Sequence, residues 1–239
     1  MGTLFVVGTP IGNLEDISSR ALGILRDVHL IASENPARTQ RLLARYEIQT
    51  PMMRYTDAYQ RKKRQRSAAV LDALQEGDVA LVSEAGMPGL ADPGFELIAA
   101  AQRQEVRVVP VPGPTALSAA LSVSGIPAER FLFLGFLPRA SSARRKLLAS
   151  LVHSPFAIVA YESPHRLLDT LAVLHALFGD RLMAAACELT KLYEEIQRGT
   201  AAELLARFGD KKPRGEFTLV IAGAVAGEPA RRPQEEGAT

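Results

Sequence analysis

The sequence contains one cysteine, Cys187, and no tryptophan. A single thiol excludes an internal disulfide, which is typical of proteins that work in a reducing compartment such as the cytoplasm. Cys187 ends an apolar run that begins at Leu182, so we interpret it as a buried core thiol. We therefore expect a cytoplasmic protein.

Long apolar segments and a strong net charge are also lacking. No uncharged apolar stretch reaches the roughly 18 residues that a membrane span needs. The first six residues have no basic region ahead of a long apolar stretch, so we predict no signal peptide. The formal net charge is only +2, which does not by itself indicate a nucleic-acid binder. We expect no membrane partner.

Motifs for several common chemistries are missing as well. The four histidines do not stand at metal-ligand spacings, so we expect no structural metal. Gly8 and Gly12 form a G-x-x-x-G pattern, which differs from the G-x-G-x-x-G of a dinucleotide fold. There is no Walker-type phosphate loop and no G-x-S-x-G nucleophile elbow. ATPase, dehydrogenase and hydrolase interpretations are therefore disfavoured.

What the sequence does contain is an alternation of short apolar runs and helical patterns, which is typical of an α/β protein. The pattern predicts strands at 4–7, 30–32, 79–82, 106–111, 131–134, 156–161, 182–187, 194–199 and 217–222. Asp92-Pro93 and Ser163-Pro164 are predicted to start helices, and Thr200 with Glu203 forms a capping box. We place two α/β domains at 1–114 and 115–224, followed by a flexible tail at 225–239.

Three loops rich in glycine and proline, at 8–13, 83–94 and 112–116, follow predicted strands. In an open α/β sheet, ligands bind beyond the carboxyl ends of the strands. Glycine lets a ligand approach the backbone, and proline holds the shape of a loop. The loops favour a small-molecule cleft, although each alone could be an ordinary tight turn, and they do not identify the ligand.

The order of motifs is more specific than any one of them. They occupy residues 9–17, 81–94, 112–116, 135–139, 161–167, 188–191 and 215–216. On these motifs the chain resembles the ribosomal RNA small subunit methyltransferase I family of the tetrapyrrole-methylase-like superfamily. The resemblance runs from about residue 3 to 222 and is most specific at 161–167 and 188–191.

The resemblance implies two α/β domains of the tetrapyrrole methylase, or class III methyltransferase, type, with S-adenosylmethionine (AdoMet) bound in the cleft between them. It also implies a homodimer that methylates the ribose 2′-hydroxyl of a cytidine in small-subunit ribosomal RNA, as naked RNA or in the small ribosomal subunit. By match, the residues expected to line the cofactor site are Pro10, Glu84, Met87, Thr115, Ala116, Tyr161, Cys187, Phe217 and Thr218.

A ribose hydroxyl is a poor nucleophile near neutral pH, so a general base would help. The candidates are Glu188, Glu162 and Glu34, although Glu188 could instead orient Lys191 or Arg166 through an ion pair. The cations expected to contact RNA are Arg139, Arg144, Arg145, Lys146, Arg166 and Lys191, and residues 61–66 form a further basic run. Such runs can equally be solvated helix faces.

Three segments depart from the family pattern. Glu84 stands where the family usually has aspartate, and residues 34–37 read Glu-Asn-Pro-Ala where it usually has Glu-Asp-Thr-Arg. Residues 54–59 replace a histidine-rich stretch. Two alternatives therefore stay open. The chain could be a divergent paralogue that methylates a tetrapyrrole or another substrate, or a non-catalytic module that binds AdoMet or RNA.

Overall fold

The computed structural model describes residues 1–55, 60–210 and 212–224, with side chains from residue 66 onward in the helix that begins at Gln60. Three features of the sequence analysis therefore lie outside the described part of the structure. They are the tail at 225–239, the departing residues Thr56, Asp57, Ala58 and Tyr59, and the side chains of residues 61–65 in the basic run. The chain divides into two compact units, Met1–Thr115 and Ala116–Thr239.

The first unit is built on a five-stranded parallel sheet with the order β3-β2-β4-β1-β5. The strands are β1 (Leu4–Val7), β2 (Leu30–Ser33), β3 (Met52–Arg54), β4 (Val79–Val82) and β5 (Val108–Val111). The helices are α1 (Ser19–Asp27), α2 (Pro36–Arg45), α3 (Gln60–Glu76) and α4 (Phe95–Arg103), and a short 3-10 helix spans Leu14–Asp16.

Both faces of this sheet are covered, as parallel sheets require. Alternate residues of β4 point to opposite faces, and all four are buried. Leu25 of α1 and Leu43 of α2 pack on one face, whereas Leu74 of α3 and Leu97 of α4 pack on the other. Since β4, β1 and β5 are neighbours and parallel, the loops that follow them emerge at the same edge.

The second unit begins with α5 (Ala116–Ser124) and contains a mixed sheet with the order β6-β7-β10-β8-β9. Its strands are β6 (Phe131–Phe136), β7 (Ala157–Glu162), β8 (Met183–Cys187), β9 (Glu195–Gly199) and β10 (Phe217–Ile221). Strands β6 and β7 are parallel, and the other pairs are antiparallel. Helices α6 (Ser141–Ala149), α7 (Leu167–Phe178) and α8 (Ala201–Gly209) pack over one core, while α5 contacts β7, β8, β9 and β10.

Two predicted helix starts are wrong. Helix α4 begins at Phe95 after Gly94, because the carbonyl of Pro93 accepts a hydrogen bond from the Gly89 amide and so belongs to the preceding turn. Helix α7 begins at Leu167, because residues 163–166 close a turn in which the Arg166 amide donates to the Ser163 carbonyl. The capping box of Thr200 and Glu203 is confirmed.

The sequence pattern missed β3, which is three residues long and only partly buried. It pairs with β2 through Met52 and Met53 and forms one border of the first sheet. Among the residues that the structure describes, no helix is both long and apolar enough to cross a membrane.

Candidate functional site

The loops after β1, β4 and β5 are joined at the carboxyl edge of the first sheet. Thr9 and Gly86 exchange two backbone hydrogen bonds of 2.9 and 3.0 Å, which join the first loop to the second. Gly8 lies against Gly113, and a Cβ on Gly113 would stand 2.8 Å from the Gly8 backbone. Only glycine allows this approach, so the two positions hold the first loop against the third.

Several residues predicted to bind cofactor lie at this edge. Pro10 follows the Thr9 bridge, and Thr115 ends the unit just beyond β5. The Met87 sulfur is close to Gly8, since a Cβ added there would be 2.6 Å from Met87 Sδ. The fold of the first unit therefore brings Pro10, Met87 and Thr115 to one edge of its sheet.

Glu84 is engaged with the segment that follows β2. Its carboxylate pairs with Arg38 at 3.1 Å and accepts a 3.1 Å hydrogen bond from the Asn35 side chain. Its own amide donates to the carboxylate of Glu34 at 2.9 Å. The two departures at 34–37 and at Glu84 are thus in direct contact, and Arg38 supplies a cation opposite Glu84.

The second unit gathers its predicted residues at the edge where β7 and β8 end and β10 begins. The register pairs Thr218 with Tyr161 on one side and with Ala186 on the other, and it pairs Phe217 with Cys187. Tyr161 is fixed by its hydroxyl, which accepts a 3.2 Å hydrogen bond from the Leu117 amide. Thr218 and Tyr161 therefore share one face of the sheet, and Phe217 and Cys187 share the other.

Cys187 and Phe217 belong to the hydrophobic core under α6, α7 and α8. Phe217 is 3% exposed and meets Phe208 edge-to-face. Burial, followed by the nearby carboxylates of Glu188 and Glu195, raises the pKa of the Cys187 thiol to about 11. A thiol with such a pKa stays protonated at neutral pH, so Cys187 is an unreactive core residue.

Glu162 is a buried structural carboxylate, with 1% of the residue exposed. One oxygen pairs with Arg166 at 2.6 Å and accepts from the Ser163 amide at 2.7 Å, and the other accepts from the Thr170 hydroxyl at 2.7 Å. Both carboxylate oxygens thus have strong partners inside the fold. This arrangement disfavours Glu162 as the general base.

Glu188 lies in a charged cluster just beyond β8. Its Oε1 accepts hydrogen bonds from Lys191 Nζ at 2.8 Å and from the Glu216 amide at 2.9 Å, and Lys191 also contacts the Glu216 carboxylate at 2.9 Å. Burial opposes the charge of Lys191, but the two carboxylates outweigh it and raise the pKa of Lys191. Lys191 is therefore a persistent cation that orients Glu188. The side chain of Glu188 is 23% exposed.

The predicted RNA-binding cations fall into two groups. Arg139, Arg145 and Lys146 are exposed. Arg144 is 2% exposed and donates to the Pro138 carbonyl, so it is an interior residue rather than an exposed cation. Its place four residues before the buried Leu148 puts both side chains on one helix face, which is the signal the sequence offered.

Arg166 is also committed to the fold. Besides Glu162, it donates to the Leu137 carbonyl at 3.0 Å and to the Ser163 hydroxyl at 3.2 Å.

Contacts such as the hydrogen bond from the Leu117 amide to Tyr161 could not be predicted from the sequence. They use a backbone group, here 44 residues away, and no side-chain pattern marks its position.

Comparison with known proteins gives a consistent result. The family model of tetrapyrrole (corrin/porphyrin) methylases matches residues 3–205. A ribosomal RNA small subunit methyltransferase I of Thermotoga maritima is 47% identical over 93% of this chain and 99% of its own length. The enzyme of the same name from Pseudomonas aeruginosa is 44% identical over 95% of this chain and 81% of its own.

Solved structures share the fold at low sequence identity. Cobalt precorrin-4 methyltransferase is 16% identical with a TM-score of 0.66, and the match covers 92% of this chain and 94% of that one. A uroporphyrin-III C-methyltransferase from Thermus thermophilus, complexed with S-adenosylhomocysteine, is 17% identical with a TM-score of 0.64, covering 92% and 97%.

Proposed function

Because this chain belongs to the tetrapyrrole methylase family and, within it, to the ribosomal RNA small subunit methyltransferase I group, we propose that it methylates the 2′-hydroxyl of a cytidine ribose in small-subunit ribosomal RNA. It is a methyltransferase that depends on AdoMet. The observation that carries the substrate is the 47% identity to a relative of that name across 93% of this chain, which includes both units.

The residues at the edges of the two sheets suit this cofactor. AdoMet, when bound, supplies a methyl group on a positively charged sulfur. The close contact between Gly8 and Gly113 fixes the first and third loops against each other, so the residues that follow each glycine are held at one edge of the sheet. We expect Pro10, Met87 and Thr115 from the first unit, and Ala116, Tyr161 and Thr218 from the second, to contact it. Glu84, held by Arg38 and Asn35, is expected to contact the cofactor from the loop that follows β4.

For the proton of the ribose hydroxyl, Glu188 is the strongest of the three candidates. Glu162 is buried with both oxygens engaged, and Glu34 holds the Glu84 amide. Glu188 is partly exposed, and the contacts of its Oε1 with Lys191 and the Glu216 amide fix its orientation. We propose that Glu188 accepts this proton when the ribose oxygen takes the methyl group, while Lys191 remains charged. Positioning of the hydroxyl would supply much of the remaining rate enhancement.

Three exposed cations of the second unit are the proposed contacts to RNA phosphates. Arg139 lies in the loop after β6, and Arg145 and Lys146 lie on α6. Arg144 and Arg166 are left out of this set because their guanidinium groups hold the protein itself. We also propose a cytoplasmic homodimer, whose mass light scattering would measure.

The test is methyl transfer to a defined substrate. Purified protein is incubated with labelled AdoMet and small ribosomal subunits that lack the modification, and the RNA is then digested to nucleosides. We expect label in 2′-O-methylcytidine, and none with subunits that already carry the methyl group. AdoMet binding without transfer to these subunits would contradict the proposal and favour a paralogue with another substrate or a binding module.

The proposed role of Glu188 is tested by Glu188→Gln, which keeps the shape of the side chain. A general base contributes about 10²- to 10⁴-fold, so transfer should fall by at least about 100-fold. AdoMet affinity and melting temperature serve as controls for folding. Transfer at the rate of the unmodified protein would remove Glu188 as the base.

A further inference from the structure

The aromatic ring of Phe136 is held in the open at the end of β6. It is 59% exposed, while the next residue, Leu137, is 2% exposed and belongs to the core. The pairing of β6 with β7 shifts between Phe133 and Phe136, so that β6 has one residue more than β7 over this interval. Such a bulge re-aims the side chains that follow it.

The bulge brings two phenylalanines to one tyrosine. Residues three apart on a regular strand point to opposite faces. Here both Phe133 and Phe136 meet Tyr161 edge-to-face, with ring centroids 5.0 and 5.4 Å apart. Gly135, at φ +61°, supplies the backbone conformation that allows the shift. Phe136 is therefore the outer member of an aromatic cluster whose centre is Tyr161.

Two arginines donate hydrogen bonds to the backbone carbonyls of the two residues that follow Phe136. Arg166 donates to the carbonyl of Leu137, and Arg144 donates to the carbonyl of Pro138 at 3.4 Å. Together with Tyr161, which is itself fixed by the Leu117 amide, these contacts hold the ring before any ligand arrives. A prepositioned ring loses little conformational entropy on binding.

We propose that Phe136 stacks on an unpaired nucleobase of the RNA substrate, at or beside the methylated nucleotide; this inference rests on the proposed function. Proteins recognise single-stranded RNA by stacking splayed bases on aromatic side chains, with cations on the phosphates. Arg139, three residues beyond Phe136, and Arg145 and Lys146 on α6 supply exposed cations in the same segment of the second unit. Arg144 and Arg166 are positioning residues for this surface.

The experiment measures transfer to unmethylated small ribosomal subunits by Phe136→Ala, Phe136→Leu and Phe136→Trp. Phe131→Ala is the matched control, because Phe131 is 41% exposed at the opposite end of the same strand. We expect the KM for subunits to rise about 10- to 100-fold in the alanine and leucine variants. The tryptophan variant should stay within about threefold of the unmodified protein, as should Phe131→Ala. AdoMet affinity should change less than the KM for subunits in Phe136→Ala, because Phe136 contacts the proposed cofactor residues only through Tyr161, and it should not change in Phe131→Ala.

The outcomes separate the two proposals. If the unmodified protein transfers no methyl group to the subunits, the proposed function fails. If it does, and Phe136→Ala has an unchanged KM, the stacking role alone is overturned. A leucine variant as good as phenylalanine would overturn it too, since that result needs only apolar contact. A changed oligomeric mass in Phe136→Ala would overturn it in favour of a contact between copies of the chain.

Discussion

Glu162 ends β7 and Glu188 follows β8, the two strands that pair with β10, yet their surroundings give them different roles. Glu162 continues the alternation of Ile158 and Ala160 on β7, and all three side chains face the core. The strand predicted at 156–161 stops one residue short of Glu162, so both its burial and the partners that satisfy it come from the structure. Glu188 lies one residue beyond β8, where no such periodicity applies.

Replacing Glu162 should destabilise the protein more than it impairs the chemistry. In Glu162→Gln, Arg166 loses its charged partner in the interior, and breaking a buried pair costs about 3 to 5 kcal/mol. Thermal and denaturant unfolding measure this loss. In the fraction that remains folded, kcat should stay within a few-fold of the unmodified value. A normal melting temperature with lost transfer would contradict this assignment and restore Glu162 as a candidate base.

Gly113 and Gly23 offer a matched pair of substitutions. A Cβ on Gly113 would meet the Gly8 backbone at 2.8 Å, whereas a Cβ on Gly23, inside α1, would meet nothing within 4 Å. Gly113→Ala should destabilise by about 1 to 3 kcal/mol and weaken AdoMet binding. Gly23→Ala should stabilise by up to about 1 kcal/mol, because alanine favours the helix.

Melting temperatures and AdoMet titrations distinguish these outcomes. The two variants should move in opposite directions in stability, and only Gly113→Ala should change cofactor affinity. If Gly113→Ala bound AdoMet normally, the contact between the first and third loops would be structural only.

At the scale of elements, the bulge in β6 makes a separate prediction. Gly135 has a φ of +61°, a conformation that asparagine tolerates and β-branched residues do not. Gly135→Val should cost about 1 to 2 kcal/mol or more and raise the KM for subunits by misplacing Phe136. Gly135→Asn should keep both values near those of the unmodified protein. Equal KM values for the two variants would mean that the bulge does not contribute to substrate binding.

Some of the strands and helices could be predicted from the sequence and others could not. Strands β1 and β4 are fully apolar, and glycine- and proline-rich loops follow them, so their positions and the edge they share could be predicted. Strand β3 was missed because it is short and only partly buried. Arg144 was misassigned because a run of three cations hides the helix face that each one occupies. The predicted starts of α4 and α7 were wrong because the residues expected to begin these helices form turns instead.

At the scale of the whole molecule, binding to ribosomal RNA should be electrostatic. A protein that neutralises phosphates releases counterions, so the KM for subunits should rise with salt along a straight log–log line. Lys146→Ala should weaken binding and lower the slope of that line by about 1. Arg103→Ala, at an exposed position at the end of α4 in the first unit, is the control and should leave the slope unchanged.

A KM that does not respond to salt would contradict a phosphate-binding surface while leaving the methyltransferase assignment intact. A smaller slope in both variants would mean that the cations act through the overall charge of the protein. Neither result can be anticipated from the formal net charge of +2, because it sums cations and anions regardless of position.

The bulge in β6 also bears on how the protein behaves at high concentration. Within the described part of the chain, β6 is an outer strand of the second sheet and pairs with another strand on one side only, so a foreign strand could add to its other side. Its regular pairing with β7 lasts only from Phe131 to Phe133 before the register shifts. An added strand could therefore form regular hydrogen bonds with only a short part of β6. The bulge that directs Phe136 outward thus also disfavours edge-to-edge aggregation at this strand.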